Sequence, residues 1–219
     1  MNKTDILVIG GGVAGLSFAI WMAEKRKDLS ITVLTKTNTG ESNTRYAQGG
    51  VAAVWDENVD DFEKHIADTL DAGDGLCDES VVRMVVEEGP KRVFEIIEWG
   101  ARFDKKVDGN YDLGREGGHS ENRILHFKDI TGWEIQRTLN DKAKQYDNIT
   151  ILEHYFAINF ITQHHLGRLT TRLSPDIECY GAYALNKETN KIETFVARTT
   201  ILATGGAGQV YKSTTNPVI

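Results

Sequence analysis

Three glycines, Gly10, Gly12 and Gly15, stand at the spacing G-x-G-x-x-G between a short apolar run and a stretch of helical periodicity. Each has its own use: Gly10 permits a tight turn, Gly12 lets the backbone approach a pyrophosphate, and Gly15 lets helix and strand pack closely. With Gly11, Val13 and Ala14 they would turn the free N–H groups and partial positive charge of a helix N-terminus toward phosphate oxygens. Glycines serve many turns, so the spacing alone is weak, but between a strand and a helix it reads as a dinucleotide site. A nicotinamide site usually carries an acid at the end of the next strand to hold the ribose hydroxyls. Here that place is taken by Thr35-Lys36, which weakens the NAD reading and leaves adenosine recognition to Lys36 or to backbone. Further on, Ser42-Asn43-Thr44-Arg45-Tyr46-Ala47-Gln48-Gly49-Gly50 offers hydroxyl and amide side chains followed by small residues. That composition suits a backbone lying against a flat, hydrogen-bonding ring such as a flavin. Near the other end, Ala203-Thr204-Gly205-Gly206 closes an apolar run with glycines.

The elements that must position these residues follow from periodicity. Ile6-Leu7-Val8-Ile9 is continuous and β-branched-rich, the pattern of a strand buried on both faces of a parallel sheet. Leu16, Ala19, Ile20 and Ala23 repeat at helical spacing up to the solvated Lys25-Arg26-Lys27-Asp28, and Ile31-Thr32-Val33-Leu34 completes a βαβ unit. Helices are predicted over residues 59–71, 79–99 and 131–145, and strands over 150–152, 156–161 and 199–203. Residues 179–196 read as a hairpin turning at 186–190. The glycine-rich stretch 108–121 has no periodicity and reads as an exposed loop of the kind that carries function.

With these elements in place the sequence resembles the flavoprotein family of succinate dehydrogenase, fumarate reductase and L-aspartate oxidase, and most closely its L-aspartate oxidase branch. The resemblance rests on five motifs in order: residues 46–54, Arg115-Glu116-Gly117-Gly118-His119-Ser120, Arg123-Ile124-Leu125-His126, Asp129-Ile130-Thr131-Gly132 and Thr214-Thr215-Asn216-Pro217. It implies an α/β, Rossmann-like FAD-binding domain over residues 1–219, a parallel sheet with flanking helices and a β-meander, truncated before a capping domain and a C-terminal helical domain. It implies FAD as cofactor, with Gly11 to Ala14 at the pyrophosphate, Lys36 on the adenosine side and Asn43, Thr44, Arg45, Tyr46, Ala47, Gln48, Gly49 and Gly50 on the flavin side. The strand and glycines at Ala203, Thr204 and Gly205 belong to the same cofactor set. Respiratory members attach their flavin through a histidine at the position of Asn43, and an asparagine cannot form that bond, so the flavin is expected to be noncovalent.

Glu116 matches the family's substrate-facing acid, where a carboxylate would favour the ammonium of L-aspartate over the methylene of succinate. The plain alternative is a loop carboxylate paired with Arg115 or Arg123. His119 and His126 read equally as hydrogen-bonded structural histidines or proton carriers. The reaction implied is oxidation of L-aspartate to iminoaspartate with oxygen or fumarate as acceptor, the first step of NAD biosynthesis, with quinolinate synthase as a partner. Relatives keep their proton-transfer residues beyond position 219, so the chain reads as an N-terminal fragment expected to turn over aspartate negligibly. A fumarate reductase or succinate dehydrogenase type of flavoprotein, and a noncatalytic dinucleotide module, are the alternatives.

The bulk composition agrees with small-molecule chemistry. A formal charge of −7 over 219 residues argues against nonspecific binding to nucleic acid or to an anionic membrane. Cys77 and Cys179 lie far apart outside any Cys/His cluster, which indicates no disulfide framework and no metal site. Early glycines interrupt the first apolar run, so a cytoplasmic, soluble protein is expected.

Overall fold

The computed structural model describes residues 1–171 and 173–218. They divide into two compact units, Met1–Thr44 with Leu139–Ile219, and Arg45–Thr138.

The first unit is built on a six-stranded sheet in the order β5-β2-β1-β8-β7-β6. Its centre is β1 (Asn2–Ile9), which pairs in parallel with β2 (Ile31–Leu34) and with β8 (Lys191–Leu202). β5 (Ile149–Leu152) adds a fourth parallel strand beside β2. β6 (Tyr155–Thr162) and β7 (Cys179–Asn186) continue the sheet antiparallel from β8 as a meander. The apolar run at residues 6–9 is buried on both faces, as its composition requires. Leu7 and Ile9 join a cluster with Leu34, Ala182, Ala184, Phe195 and Ala197. Val8 faces α1 (Val13–Lys25), its methyl 3.2 Å from where a Cβ on Gly15 would stand. α1 buries Leu16, Ala19, Ile20 and Ala23, the four residues whose spacing predicts it.

Two strands differ from the sequence reading. β1 begins at Asn2, because Asn2, Lys3 and Thr4 pair with Phe195, Val196 and Ala197 while their polar side chains stay accessible. The second hairpin arm and the strand predicted at 199–203 are one strand, β8. It serves β7 on one edge through Lys191–Val196 and β1 on the other through Phe195–Leu202, so the polar run Arg198-Thr199-Thr200 does not interrupt it.

The second unit holds α2 (Phe62–Ala72), α3 (Glu79–Glu98), most of α4 (Thr131–Ala143) and a two-stranded sheet of β3 (Val51–Ala52) and β4 (Ile124–Leu125). Its core gathers Ala53, Val93, Ala101, Phe103 and Leu125. α2 starts at Phe62 rather than Val59 because the Asp61 carboxylate accepts the Lys64 N–H at 2.8 Å and takes the cap. α4 ends at Ala143, short of Gln145, where the N–H groups of Gln145 and Tyr146 bond three residues back and tighten the chain into a turn. β3 and β4 have no counterpart in the sequence reading, since two-residue strands carry no period.

Candidate functional site

The glycine turn is fixed by the sheet edges it joins. Gly10 donates to the Leu34 carbonyl at 2.9 Å, and Ala203 donates to the Ile9 carbonyl at 2.8 Å, so the ends of β1, β2 and β8 meet at one point. Gly10 has φ +119°, and a Cβ there would overlap the Ala203 carbonyl. A Cβ on Gly15 would overlap the Gly10 carbonyl, so this glycine is spent on packing α1 against β1, and it does not line the cleft described next.

At the C-terminal ends of these strands lies a cleft of about 550 Å³ in the first unit. Its walls include Gly10, Gly11, Gly12, Val13, Ala14, Lys36, Asn43, Thr44, Ala203, Thr204 and Gly205, all read from the sequence as cofactor residues. Gly12 caps α1 without a side-chain bond, and the Thr44 hydroxyl accepts from the Val13 N–H at 3.1 Å. The loop carrying Lys36 is held from below: Thr39 donates to Glu153 at 2.6 Å, the Asn140 amide donates to the Thr39 carbonyl at 2.9 Å, and Lys187 Nζ donates to the Lys36 carbonyl at 3.2 Å. The Thr39 N–H holds the Glu153 carboxyl below its ordinary range. Asn43 reaches Gly205, whose Cβ position is 3.6 Å from Asn43 Nδ2.

The cleft also has walls that sequence reasoning missed. Tyr155, Phe156 and Ala157 enter it from β6, and Glu41, Gln209 and Asn216 from loops. The β6 residues arrive because Tyr155 donates to the Thr35 carbonyl at 2.9 Å, a junction between distant segments that no local pattern announces. Asn216 had a signal in the Thr214-Thr215-Asn216-Pro217 motif, and its carbonyl accepts from Gln209 Nε2 at 2.8 Å. A glycine cradle without Cβ atoms, a helix N-terminus and an elongated cleft at the carboxyl ends of parallel strands fit a dinucleotide pyrophosphate.

The remaining residues that the sequence assigned to the flavin side, Arg45 to Gly50, belong to the second unit. Tyr46, Ala47, Gln48, Gly49 and Gly50 are exposed, and the Arg45 guanidinium stands 5.9 Å from the Tyr46 ring centre. The loop is pinned where Gly132 at the start of α4 donates to the Ala47 carbonyl at 2.9 Å. Glu116 lies against it: a Cβ on Gly49 would be 3.1 Å from Glu116 Oε1.

Glu116 does not pair with Arg123, one of the two partners that the plain alternative offered it. The Arg123 guanidinium is fully buried, donating to Asp60 at 2.8 and 2.7 Å and to Asp68 at 2.5 Å. Burial opposes ionisation of both carboxyls, yet hydrogen bonds outweigh it: Arg123 lowers Asp60, and the Ser120 N–H, Arg123 and the Ser120 hydroxyl bring Asp68 down to about 2. Both histidines of the motifs sit in structural bonds. His119 Nδ1 is 3.2 Å from Arg123 Nη1, and His126 Nδ1 is 3.1 Å from Asp104. His65 on α2 is buried beside His119, its ring 5.7 Å from that of His119, and burial pushes its pKa down. Among the described residues no group of His, Cys, Asp or Glu is arranged to hold a metal ion, and no helix is long and apolar enough to cross a membrane.

Comparison with known proteins bears on this cleft. The family model for the FAD binding domain matches residues 5–219. L-aspartate oxidase 2-a, chloroplastic, of Nicotiana tabacum is 47% identical over 98% of this chain and 32% of its own length. L-aspartate oxidase of Vibrio cholerae is 43% identical over 99% of this chain and 39% of its own. The chain therefore spans about a third of the length of the curated relatives it matches. Among solved structures, E. coli quinol fumarate reductase FrdA superposes with a TM-score of 0.86 at 30% identity, over 100% of this chain and 35% of that one.

Proposed function

The chain belongs to the FAD-binding domain family, its cofactor is FAD, and from that premise we propose that it is the cofactor-binding part of an enzyme that oxidises L-aspartate to iminoaspartate. Oxygen or fumarate takes the electrons. The product passes to quinolinate synthase for NAD biosynthesis, and the enzyme works in the cytoplasm, although the tobacco relative's name includes "chloroplastic". The observation that carries the choice of substrate is the Glu116 carboxylate lying against Gly49 of the flavin-side loop. Identities of 43–47% to L-aspartate oxidases, against 30% to the fumarate reductase, support the same choice.

When bound, FAD accepts the hydrogen and two electrons of the substrate's carbon–hydrogen bond. The chain's own residues bind and orient. Gly11 to Ala14 and the first N–H groups of α1 hold the pyrophosphate, and Lys36 serves the adenosine side. Asn43 to Gly50 serve the flavin, and since Asn43 offers no ring nitrogen for a covalent link, the flavin is held noncovalently. Glu116 orients the substrate: an ammonium beside a carboxylate gains a charge-assisted hydrogen bond, whereas succinate offers only a methylene and leaves that carboxylate facing two others. The 219 residues by themselves are expected to turn over L-aspartate negligibly.

The test is Glu116→Gln in the complete FAD-loaded enzyme of which these residues are the cofactor-binding part, with kcat/KM compared for L-aspartate and succinate. Loss of the charge is expected to lower the preference for aspartate on the order of tenfold or more. An unchanged preference overturns the substrate assignment. The rival reading, a fumarate reductase type, draws on the TM-score of 0.86 to that enzyme, and a covalently attached flavin would favour it.

A further inference from the structure

The loop that carries Glu116 is exposed at its acidic end and tied at the other, through Ser120 and Asp68, to the buried Arg123. Arg115, Glu116, Gly117 and Gly118 are open to solvent, and the chain on either side is clamped by reciprocal bonds between Gly114 and Ile124 at 2.9 and 3.0 Å. Inside this clamp Asp68 accepts both the N–H and the hydroxyl of Ser120 at 2.8 Å. Asp68 is held in turn by Arg123, and Arg123 by Asp60. The His119 N–H donates to the Glu116 carbonyl at 3.2 Å, which ties the anchored limb of the loop to its exposed one.

Such an arrangement is hard to explain as a stabilising device. Taking a guanidinium and a carboxylate out of water is costly, and apolar residues of similar volume often fill such a space as well or better. What ions and forked hydrogen bonds supply that apolar packing does not is direction. Here that direction ends at a carboxylate which must keep its place against Gly49.

We propose that Asp60, Asp68 and Arg123 are positioning residues for Glu116: through Ser120 and His119 they fix the loop, and so set how strongly the site prefers a dicarboxylate bearing an ammonium over one without. The proposal rests on the assignment of Glu116 as the substrate-facing acid. None of the three touches the substrate. They act on it only through Glu116, so their effect on selectivity must vanish when the Glu116 charge is absent.

Removing Arg123 would strand the buried Asp60 carboxylate and endanger the fold, so the working variant is Asp68→Ala, which leaves Arg123 paired with Asp60, with Ser120→Ala as a milder second. Both are compared with Glu116→Gln and with the double variants in the FAD-loaded holoenzyme. The readouts are the dissociation constants of L-aspartate and succinate from the change in flavin absorbance, and hydrogen exchange of the peptide spanning residues 115–121. Asp68→Ala is expected to retain FAD, speed exchange of that peptide and lower the aspartate preference on the order of tenfold. Added to Glu116→Gln it should change the preference by no more than about twofold. If Glu116→Gln lowers the preference but Asp68→Ala leaves it intact, or if the two effects add in full, the positioning role is overturned while the assignment of Glu116 stands. If Glu116→Gln itself leaves the preference unchanged, the assignment falls, and the positioning role falls with it.

Discussion

A single hydrogen decides whether Gly10 can do its work. Its φ of +119° lies where an L side chain is strained, and a Cβ would overlap the Ala203 carbonyl at the junction of β1 and β8. Gly10→Ala is therefore expected to cost about 3 kcal/mol and to reduce retained FAD. Thermal unfolding and the flavin-to-protein ratio after gel filtration check it, and a variant that keeps both at the level of the parent would show that the junction yields. At this scale much of the cleft was legible, because a glycine spacing is a statement about backbone clearance that needs no tertiary context. Tyr155, Phe156 and Ala157 were not, because nothing in their own side chains indicates that β6 will begin beside Thr35. Arg123 illustrates a different blind spot. Its motif was visible, but a buried guanidinium and an exposed one look alike in a sequence, and only burial shows that it serves Asp60 and Asp68 rather than Glu116.

At the scale of elements, α4 supplies both the Gly132 N–H that pins Ala47 and a buried carboxylate that fastens the helix to its neighbours. Glu134 accepts from Arg102 Nε at 3.2 Å, from Arg102 N–H at 2.9 Å and from Arg137 at 2.6 and 2.9 Å. Burial alone would raise its pKa, but the Arg137 and Arg102 bonds outweigh it and bring the carboxyl from 4.5 to about 2. A carboxyl with a depressed folded pKa stabilises the fold fully above its unfolded value and ceases to as pH falls through the folded one. Stability is thus expected to drop between pH 4.5 and about 2, by on the order of 3 kcal/mol from this group. Glu134→Gln should lower stability at neutral pH and flatten the acid limb of a denaturation series. An acid limb as steep as the parent's would assign the loss to other carboxylates. Among the described residues the sequence reading located the four α-helices and the strands of the larger sheet, but not the short 3-10 turns at Gln163–Leu166 and Gly208–Val210. It misplaced boundaries where a cap or a tightened turn decides them, as at Asp61 and Gln145, and split β8 because one strand has different partners on its two edges.

For the whole molecule, the chain folds into two units: the first holds a cleft shaped by Gly10 to Ala14, and the second holds the loop of Tyr46 to Gly50 with Glu116 against Gly49. The cleft was legible in the sequence because the glycine motif that shapes it is local to the first unit. The division between units was not legible, because the chain leaves the first unit after Thr44 and re-enters it within α4, without a linker or a change of composition at either crossing. The central claim is that this chain holds FAD without a covalent bond, and it is tested most directly by the visible spectrum of the purified protein before and after acid precipitation. The account predicts a yellow protein whose flavin bands pass entirely into the supernatant. Flavin that stays with the pellet would contradict the noncovalent assignment made from Asn43, and a protein that remains colourless after incubation with FAD would contradict the assignment of the cleft itself.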